Sequence, residues 1–271
     1  MKRLLAVLGS DVSRSLSPHL HNSASRKCDL GVRYVALNCS NDESFLALLE
    51  DLQVLGARGC NVTIPYKITA LRAAHECTPM AQKLGAANTL TFEDNKIWAD
   101  NTDGRGLLRV LVDYQPERFN CVQILGAGGA ARAAVWAASE AGARKIVVTA
   151  RRNAESVAEI APGVAVAKSL QSVDEATLVI STLPNDESIA AQAMESWICL
   201  SQKPAVLDLA YSMGVSLSPL ATQAKLAGLQ AQDGRGMLVE QAALSLSHWV
   251  GGQVSEKIRK SMWEALDSGV D

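Results

Sequence analysis

The chain has 271 residues, 48% of them hydrophobic and 20% charged, with a formal net charge of -2. That length holds two domains of ordinary size or one large one, and the charge balance lacks the basic excess of a nucleic-acid binder. Cys28, Cys39, Cys60, Cys77, Cys121 and Cys199 are scattered, with no C-x-x-C pair and no clustering with the four histidines, which points to reduced thiols in a cytoplasmic enzyme and away from a zinc site or a disulfide framework.

The opening "MKRLLAVLGSD" has too short an apolar run, and no small-residue cleavage pattern, for a signal peptide. It reads as a first buried strand. No uninterrupted apolar stretch is long enough to span a bilayer. Up to about residue 113, short apolar runs alternate with helical periodicity, the rhythm of βα units on a mainly parallel sheet. Strands are predicted at Arg3 to Leu8, Val32 to Asn38 and Ala57 to Val62, with helices from Pro18 to about Cys28 and from Asn41 to about Val54. "AANTLTF" and "KIWADN" flank "EDN" as a hairpin that delivers the chain to "NTDGRGLLRVL".

A second rhythm begins at Cys121. "CVQIL" runs directly into "GAGGAARAAVWAASEAG", and "KIVVTA", "TLVIST" and "AVLDLA" follow as strands separated by helical stretches. This is the outline of a doubly wound, Rossmann-type domain from 115 to 236. The remaining segment from about 237 to 271 carries a pair of amphipathic helices, too little to bury its own apolar face. It is expected to fold back on residues 1–114 as one discontinuous substrate-binding domain, with a cleft between the two domains as the binding site.

Gly126, Gly128 and Ala131 form G-x-G-x-x-A between a predicted strand and the opening of a helix. Glycines there permit a tight turn and close backbone approach to a pyrophosphate, and the run Gly126, Ala127, Gly128, Gly129, Ala130, Ala131 becomes the candidate cofactor loop. The next strand ends in Thr149, Ala150, Arg151 and Arg152, with no acid for a ribose 2′-hydroxyl. Two guanidinium forks at that point suit a 2′-phosphate, so NADP is the expected cofactor, and no metal is expected.

In the first domain, "SRSLSPHLHN", "NVTIPYK", "AANT" and "DNTDGRG" lie where strands give way to loops or helices. Ser15, Ser17, Asn61, Thr63, Asn88, Thr102 and Asp103 supply hydroxyls, amides and one carboxylate, a set suited to a small polyhydroxylated molecule. Each also has a plainer reading. Ser17 before Pro18 looks like a helix cap, and Asn88 or Asp103 could organise a turn. Dehydrogenation of an alcohol needs a group that exchanges the hydroxyl proton. Lys67 can be that group, with Asp103 as the carboxylate that orients it. A cation in the first turn of a helix opposes the helix dipole, which argues that Lys67 stands there for chemistry.

These stretches together resemble the shikimate dehydrogenase family over nearly the full chain. "SLSPHLHN", "NVTIPYK", "AANT", "NTDG", "GAGGAARA", "DLAYS" and "GMLVEQAALSLSHWVG" match its signatures in order. The resemblance implies NADP-dependent, reversible reduction of 3-dehydroshikimate to shikimate on the route to chorismate and the aromatic amino acids, in the cytoplasm, by a monomer or homodimer. It implies Lys67 and Asp103 as the catalytic pair, and Ser15, Ser17, Asn61, Thr63, Asn88, Asp103, Tyr211 and Gln241 around the substrate. The chain departs from the family pattern at Ala150, at "STLPND", after Tyr211 and at Ala242, all in its second half. A quinate or dual quinate/shikimate dehydrogenase is the alternative enzyme, and a non-catalytic NADP or metabolite sensor the alternative outside enzymes.

Overall fold

The computed structural model describes residues 3–167, 173–198, 203–213, 216–252 and 255–268. Cys199 and Gly214 lie outside the described residues. The chain divides into two compact units, Met1–Asp103 with Leu238–Asp271, and Gly104–Met237. The first division falls inside a helix, whereas the change of rhythm in the sequence comes only after that helix has ended.

The first unit opens with β1 (Arg3–Gly9), α1 (Ser17–Cys28), β2 (Val32–Asn38), α2 (Asp42–Val54) and β3 (Gly59–Val62). Then come α3 (Lys67–Ala73), β4 (Glu76–Cys77), α4 (Pro79–Leu84), β5 (Thr89–Glu93), β6 (Lys96–Asp100) and α5 (Asp103–Leu111), whose first residue ends this part of the unit. Its sheet has the order β2-β1-β3-β5-β6-β4, with β5 antiparallel to both β3 and β6 and the other pairs parallel. The hairpin falls where the "EDN" turn predicts it, with Asp94 and Asn95 both at positive φ. α2 starts at a capping box in which Asn41 accepts from the Ser44 N–H. The apolar faces of β1, β3 and α2 meet in a core that includes Leu8, Phe45, Leu49, Cys60 and Leu90.

The second unit contains a 3-10 turn (Pro116–Phe119), β7 (Val122–Leu125), α6 (Gly129–Glu140), β8 (Ile146–Thr149), α7 (Ala154–Ala158), β9 (Ala165–Ala167), β10 (Leu178–Ser181), α8 (Glu187–Ile198), β11 (Ala205–Asp208), α9 (Pro219–Leu226) and β12 (Ala231–Gln232). Every strand pair is parallel, and the order β12-β11-β10-β7-β8-β9 is that of a Rossmann domain. Its four longest strands are buried at every position, which explains why they read as mostly apolar runs, Gln123 being the buried exception in β7, rather than alternating ones.

The last helices are α10 (Arg235–Val250) and α11 (Glu256–Asp267). α11 lies along α1, where His19 Nε2 meets the Ala265 carbonyl at 2.9 Å and Lys27 pairs with Glu264 at 2.8 Å. From α10, Trp249 reaches the sheet and its indole N–H donates to the Leu90 carbonyl at 3.0 Å. Gly59 makes room for it: a Cβ there would stand 2.3 Å from Trp249 Nε1 and 2.1 Å from the Leu90 oxygen. Among the described residues no helix is long and apolar enough to cross a membrane.

His21 of α1 is fully buried, stacked on Tyr34 with ring centroids 4.2 Å apart and planes 1° from parallel. Neither ring nitrogen has a hydrogen-bond partner. Burial therefore holds the imidazole neutral and pushes its pKa down to about 3. The unfolded chain takes up this proton below about pH 6.5 and the folded chain does not, so stability present above that pH is lost as the pH falls towards 3. Replacing His21→Phe should flatten that slope, which urea unfolding at steps between pH 7 and 4 would measure. An unchanged slope would place the acid sensitivity elsewhere.

Candidate active site

Lys67 is the first residue of α3, and its position is fixed on both sides. Tyr66 stacks on Phe45 with centroids 5.0 Å apart, and its hydroxyl donates to the Cys39 carbonyl at 2.9 Å. The Lys67 carbonyl accepts from the Ala87 N–H at 2.8 Å, which ties α3 to the approach of β5. Asp103 opens α5, where the helix dipole favours a carboxylate. Its own N–H donates to Asn101 Oδ1 at 3.0 Å.

The two side chains meet, with Lys67 Nζ 2.6 Å from Asp103 Oδ2. The lysine side chain is 14% exposed and the aspartate 6%, so the pair sits at the edge of the interior with the ammonium on the more open side. Asn88 Nδ2 donates to the other oxygen, Asp103 Oδ1, at 2.8 Å. An ammonium has three donors, and Lys67 spends one on Asp103. The arrangement can hold a charged donor beside a fixed carboxylate and present it to a bound hydroxyl or carbonyl.

Asn88 is held from several directions. Its Oδ1 accepts from the Thr102 N–H at 2.8 Å and from the Thr89 hydroxyl at 2.9 Å. Because the Thr102 amide can only donate, the side-chain orientation is fixed and Nδ2 faces Asp103. Gln241, from α10, brings its Oε1 to 3.3 Å from the same Nδ2 and donates its own amide to the Leu238 carbonyl at 3.0 Å.

Asn61 and Thr102 look inward. Asn61 Oδ1 accepts from the Tyr34 hydroxyl at 2.7 Å, and Nδ2 donates to the Asn88 carbonyl at 3.0 Å and to Ser245 Oγ at 2.9 Å. Thr102 is fully buried, and its hydroxyl lies between Asn88 and Ser245. Thr63 is half-buried at the end of β3, with its N–H donating to the Leu8 carbonyl at 2.9 Å. Gly9 is needed beside it, since a Cβ there would fall 2.5 Å from Thr63 Cγ2. Ser17 is not a cap: it is already helical, and Ser15 Oγ accepts from its N–H at 3.3 Å. Ser15 thus does the local work predicted of its neighbour, because the helix starts one residue earlier than Pro18.

The second unit carries the glycine-rich loop and Tyr211. Gly126 follows β7 with φ of 109°, and a Cβ on it would stand 2.3 Å from Thr182 Oγ1. Glycine is required at this point, where β7 and β10 are neighbours in the sheet and the strand order reverses. Gly128 is the N-cap of α6, with no side chain capping the helix and open space where a Cβ would be. Ala127, Gly129 and Ala130 are half-buried beside it, while Ala131 is fully buried where α6 starts to pack on the sheet. A backbone cradle ending in uncapped helix N–H groups fits a pyrophosphate. Arg151 and Arg152 are exposed directly after β8, as a 2′-phosphate clamp requires. Half-buried Tyr211 follows β11, and its carbonyl accepts from Asn185 Nδ2 at 3.2 Å.

Sequence reasoning missed Ser245, Tyr34 and Thr89, all within the polar cluster around Asn61 and Asn88. Ser245 had a signal: four residues beyond Gln241 on one helix, it shares that residue's face. Tyr34 had none, since an aromatic residue in a buried strand is ordinary. Asp208, the last residue of β11, is also buried. Burial pushes its pKa up to about 6 against the opposing hydroxyls of Ser218 and Ser181 and the Ala210 N–H, while Asp233 nearby raises it further.

The chain matches the family model described as the shikimate dehydrogenase substrate binding domain over residues 7–90. It is 34% identical to the NADP(+) shikimate dehydrogenase of Legionella pneumophila, covering 92% of this chain and 94% of that one. The NADP(+) shikimate dehydrogenase of Methanococcoides burtonii is likewise 34% identical, over 98% of this chain and all of the other. Among solved structures, the shikimate 5-dehydrogenase of Thermus thermophilus in complex with NADP(H) and shikimate superposes with a TM-score of 0.81. It is 30% identical, with 97% of this chain and 100% of that one covered.

The raised pKa of Asp208 makes a stability prediction with the opposite sign to that of His21. The folded state keeps its proton up to about pH 6 and the unfolded chain loses it near 3.8. Stability contributed below pH 3.8 is therefore lost as the pH rises to about 6. Asp208→Asn should gain on the wild type between pH 4 and pH 7.5 by on the order of 2–3 kcal/mol in unfolding free energy. Parallel curves for the two proteins would show that Asp208 titrates normally.

Proposed function

The chain belongs to the shikimate dehydrogenase family, and we infer from that membership and from the site that it catalyses the NADP-dependent, reversible reduction of 3-dehydroshikimate to shikimate. The observation that carries this reading is the Lys67–Asp103 pair at 2.6 Å with Asn88 on the second carboxylate oxygen. The first unit is then the substrate and catalytic unit, and the second the cofactor unit, with Gly126 to Ala131 against the pyrophosphate and Arg151 and Arg152 at the 2′-phosphate.

When bound, NADPH supplies the hydride that reduces the ketone carbon. Lys67 donates a proton to the oxygen of that carbon as negative charge develops on it, and takes the proton back in the oxidative direction. Asp103 holds the ammonium in register and accepts from a ring hydroxyl through a lone pair that Lys67 and Asn88 leave open. Asn88 and Gln241 offer amides to the ring, and Ser15, Ser17 and Thr63 offer hydroxyls. Water is kept from the lysine by burial of the pair, which strengthens each of these contacts.

Lys67→Ala should lower kcat for shikimate oxidation by about 100-fold or more, with a smaller change in KM, because general acid–base catalysis by one side chain is worth roughly that much. A kcat equal to that of the wild type would sink the mechanism. Replacing Arg151→Ala should raise the KM for NADP by at least about tenfold and leave the KM for NAD nearly unchanged, as expected when a charge-assisted phosphate contact is lost. Equal effects on both cofactors would remove Arg151 from the phosphate site. Steady-state rates with quinate test substrate choice, and a kcat/KM above that for shikimate would reassign the substrate. A single methyl group in a pocket wall discriminates by only about 1 to 3 kcal/mol.

A further inference from the structure

Ser245 lies wholly inside the first unit, fully buried on α10. Four polar groups surround its hydroxyl. Asn61 Nδ2 approaches at 2.9 Å, the Gln241 carbonyl at 2.9 Å, Thr89 Oγ1 at 2.9 Å and Thr102 Oγ1 at 3.1 Å. A hydroxyl has one hydrogen and two lone pairs, which decides the direction of each bond. The Asn61 amide can only donate and the Gln241 carbonyl can only accept. Ser245 therefore gives its hydrogen back along the helix and keeps one lone pair for a threonine.

The two threonines face the same choice. Thr89 Oγ1 lies 2.9 Å and Thr102 Oγ1 3.2 Å from Asn88 Oδ1, and each threonine has one hydrogen to give. With Ser245 taking one of these hydrogens, the other goes to Asn88. Without Ser245, the threonine hydrogens are left with Asn88 Oδ1, which already accepts from the Thr102 N–H, or with the long 3.4 Å contact between the two threonine hydroxyls. One hydrogen of Asn61 would also be left with only the Thr89 oxygen at 3.2 Å. The orientation of Asn61 is set by the Asn88 carbonyl, which can only accept from its Nδ2, so that Oδ1 faces the Tyr34 hydroxyl.

We propose that Ser245 is a positioning residue for ring-substrate recognition: by taking one threonine hydrogen, its hydroxyl adds to the hold that the Thr102 N–H has on the Asn88 side chain, without touching the substrate. The same reasoning makes Asn61 and Thr102 positioning residues, since their polar atoms are committed within the cluster. The proposal rests on the dehydrogenase reading and names which buried groups hold its substrate contacts in place.

The test compares wild type, Ser245→Ala and Ser245→Thr in the full chain. Ser245→Ala should raise the KM for shikimate about tenfold, as loss of one buried hydrogen-bonding partner implies. Its KM for NADP should not move, and Ser245→Thr, which keeps the hydroxyl, should recover most of the loss. A lower Tm with unchanged KM for shikimate would make Ser245 merely structural and overturn the proposal. Should the alanine variant not fold, Ser245→Cys keeps the volume with a weak hydrogen-bonding group and faces the same criterion. The Asn88 side-chain amide resonances, assigned by NMR, read the positioning whether or not the protein turns over. They should shift in Ser245→Ala and return in Ser245→Thr, and resonances identical to wild type would overturn the proposal. A wild type that does not oxidise shikimate would instead refute the assigned activity.

Discussion

A carboxylate that is almost out of solvent must be paired, and the first unit is organised around satisfying one, Asp103. Its two oxygens are met by Lys67 and Asn88, from segments far apart in the chain. For Lys67 to arrive, β3 must end and α3 begin within a few residues, anchored by Tyr66 against Phe45 and Cys39. For Asn88 to arrive, the hairpin must pair in one register, with Thr89 opposite Asp100 and the Asn88 N–H on the Asp100 carbonyl. A slip of one residue would carry Asn88 away and leave the second oxygen of the carboxylate without its donor. Removing one partner of so enclosed a pair costs about 3–5 kcal/mol, which is why local geometry on three segments yields to it.

The second unit follows a different constraint, the absence of side chains. Gly126 is where β7 must turn away beneath Thr182, and Gly128 leaves the first N–H groups of α6 uncapped. Such a cradle binds through the backbone, so its affinity does not depend on side-chain identity beyond smallness. This explains how the unit tolerates departures such as "STLPND" and Ala150 while keeping the strand order and the phosphate turn. On the proposed reading, the arginines after β8 supply what the backbone cannot, a charge that distinguishes one dinucleotide from another.

Legibility in the sequence divides along the same line. Strands buried on both faces, such as Val122–Leu125 and Ala205–Asp208, leave mostly apolar runs, and Gly-rich turns leave a spaced motif, so the Rossmann order could be read directly. The Lys67–Asp103 pairing was readable because both lie in polar stretches at strand ends. Beyond the helix start read at Lys67, nothing in the sequence up to Ala86 marks an element, although the segment holds α3 and α4. Helices of seven and six residues are too short for periodicity to show, and the two-residue β4 leaves no pattern at all. Asn61 and Thr102 were legible as polar residues near a site, but nothing in their spacing tells an inward amide from an outward one. That distinction depends on Tyr34 and Ser245, whose partners are set by tertiary packing alone.

An apolar core at the Asn61, Thr89, Thr102 and Ser245 positions would cost less desolvation, so the polar cluster must offset its burial in another way. It can do so because donors and acceptors there match: the Asn88 carbonyl orients Asn61, Asn61 orients Ser245, and the threonines divide their hydrogens between Ser245 and Asn88. A fully matched network has one low-energy arrangement, in which the threonine hydroxyls add to the hold of the Thr102 N–H on the Asn88 amide. Asn88 bonds the same carboxylate that holds Lys67, so a fixed amide keeps the ammonium in place before any ligand arrives. Preorganisation of that kind lowers the reorganisation needed at the moment of reaction, and it is the physical reason for hydroxyls where a protein interior would otherwise place methyls.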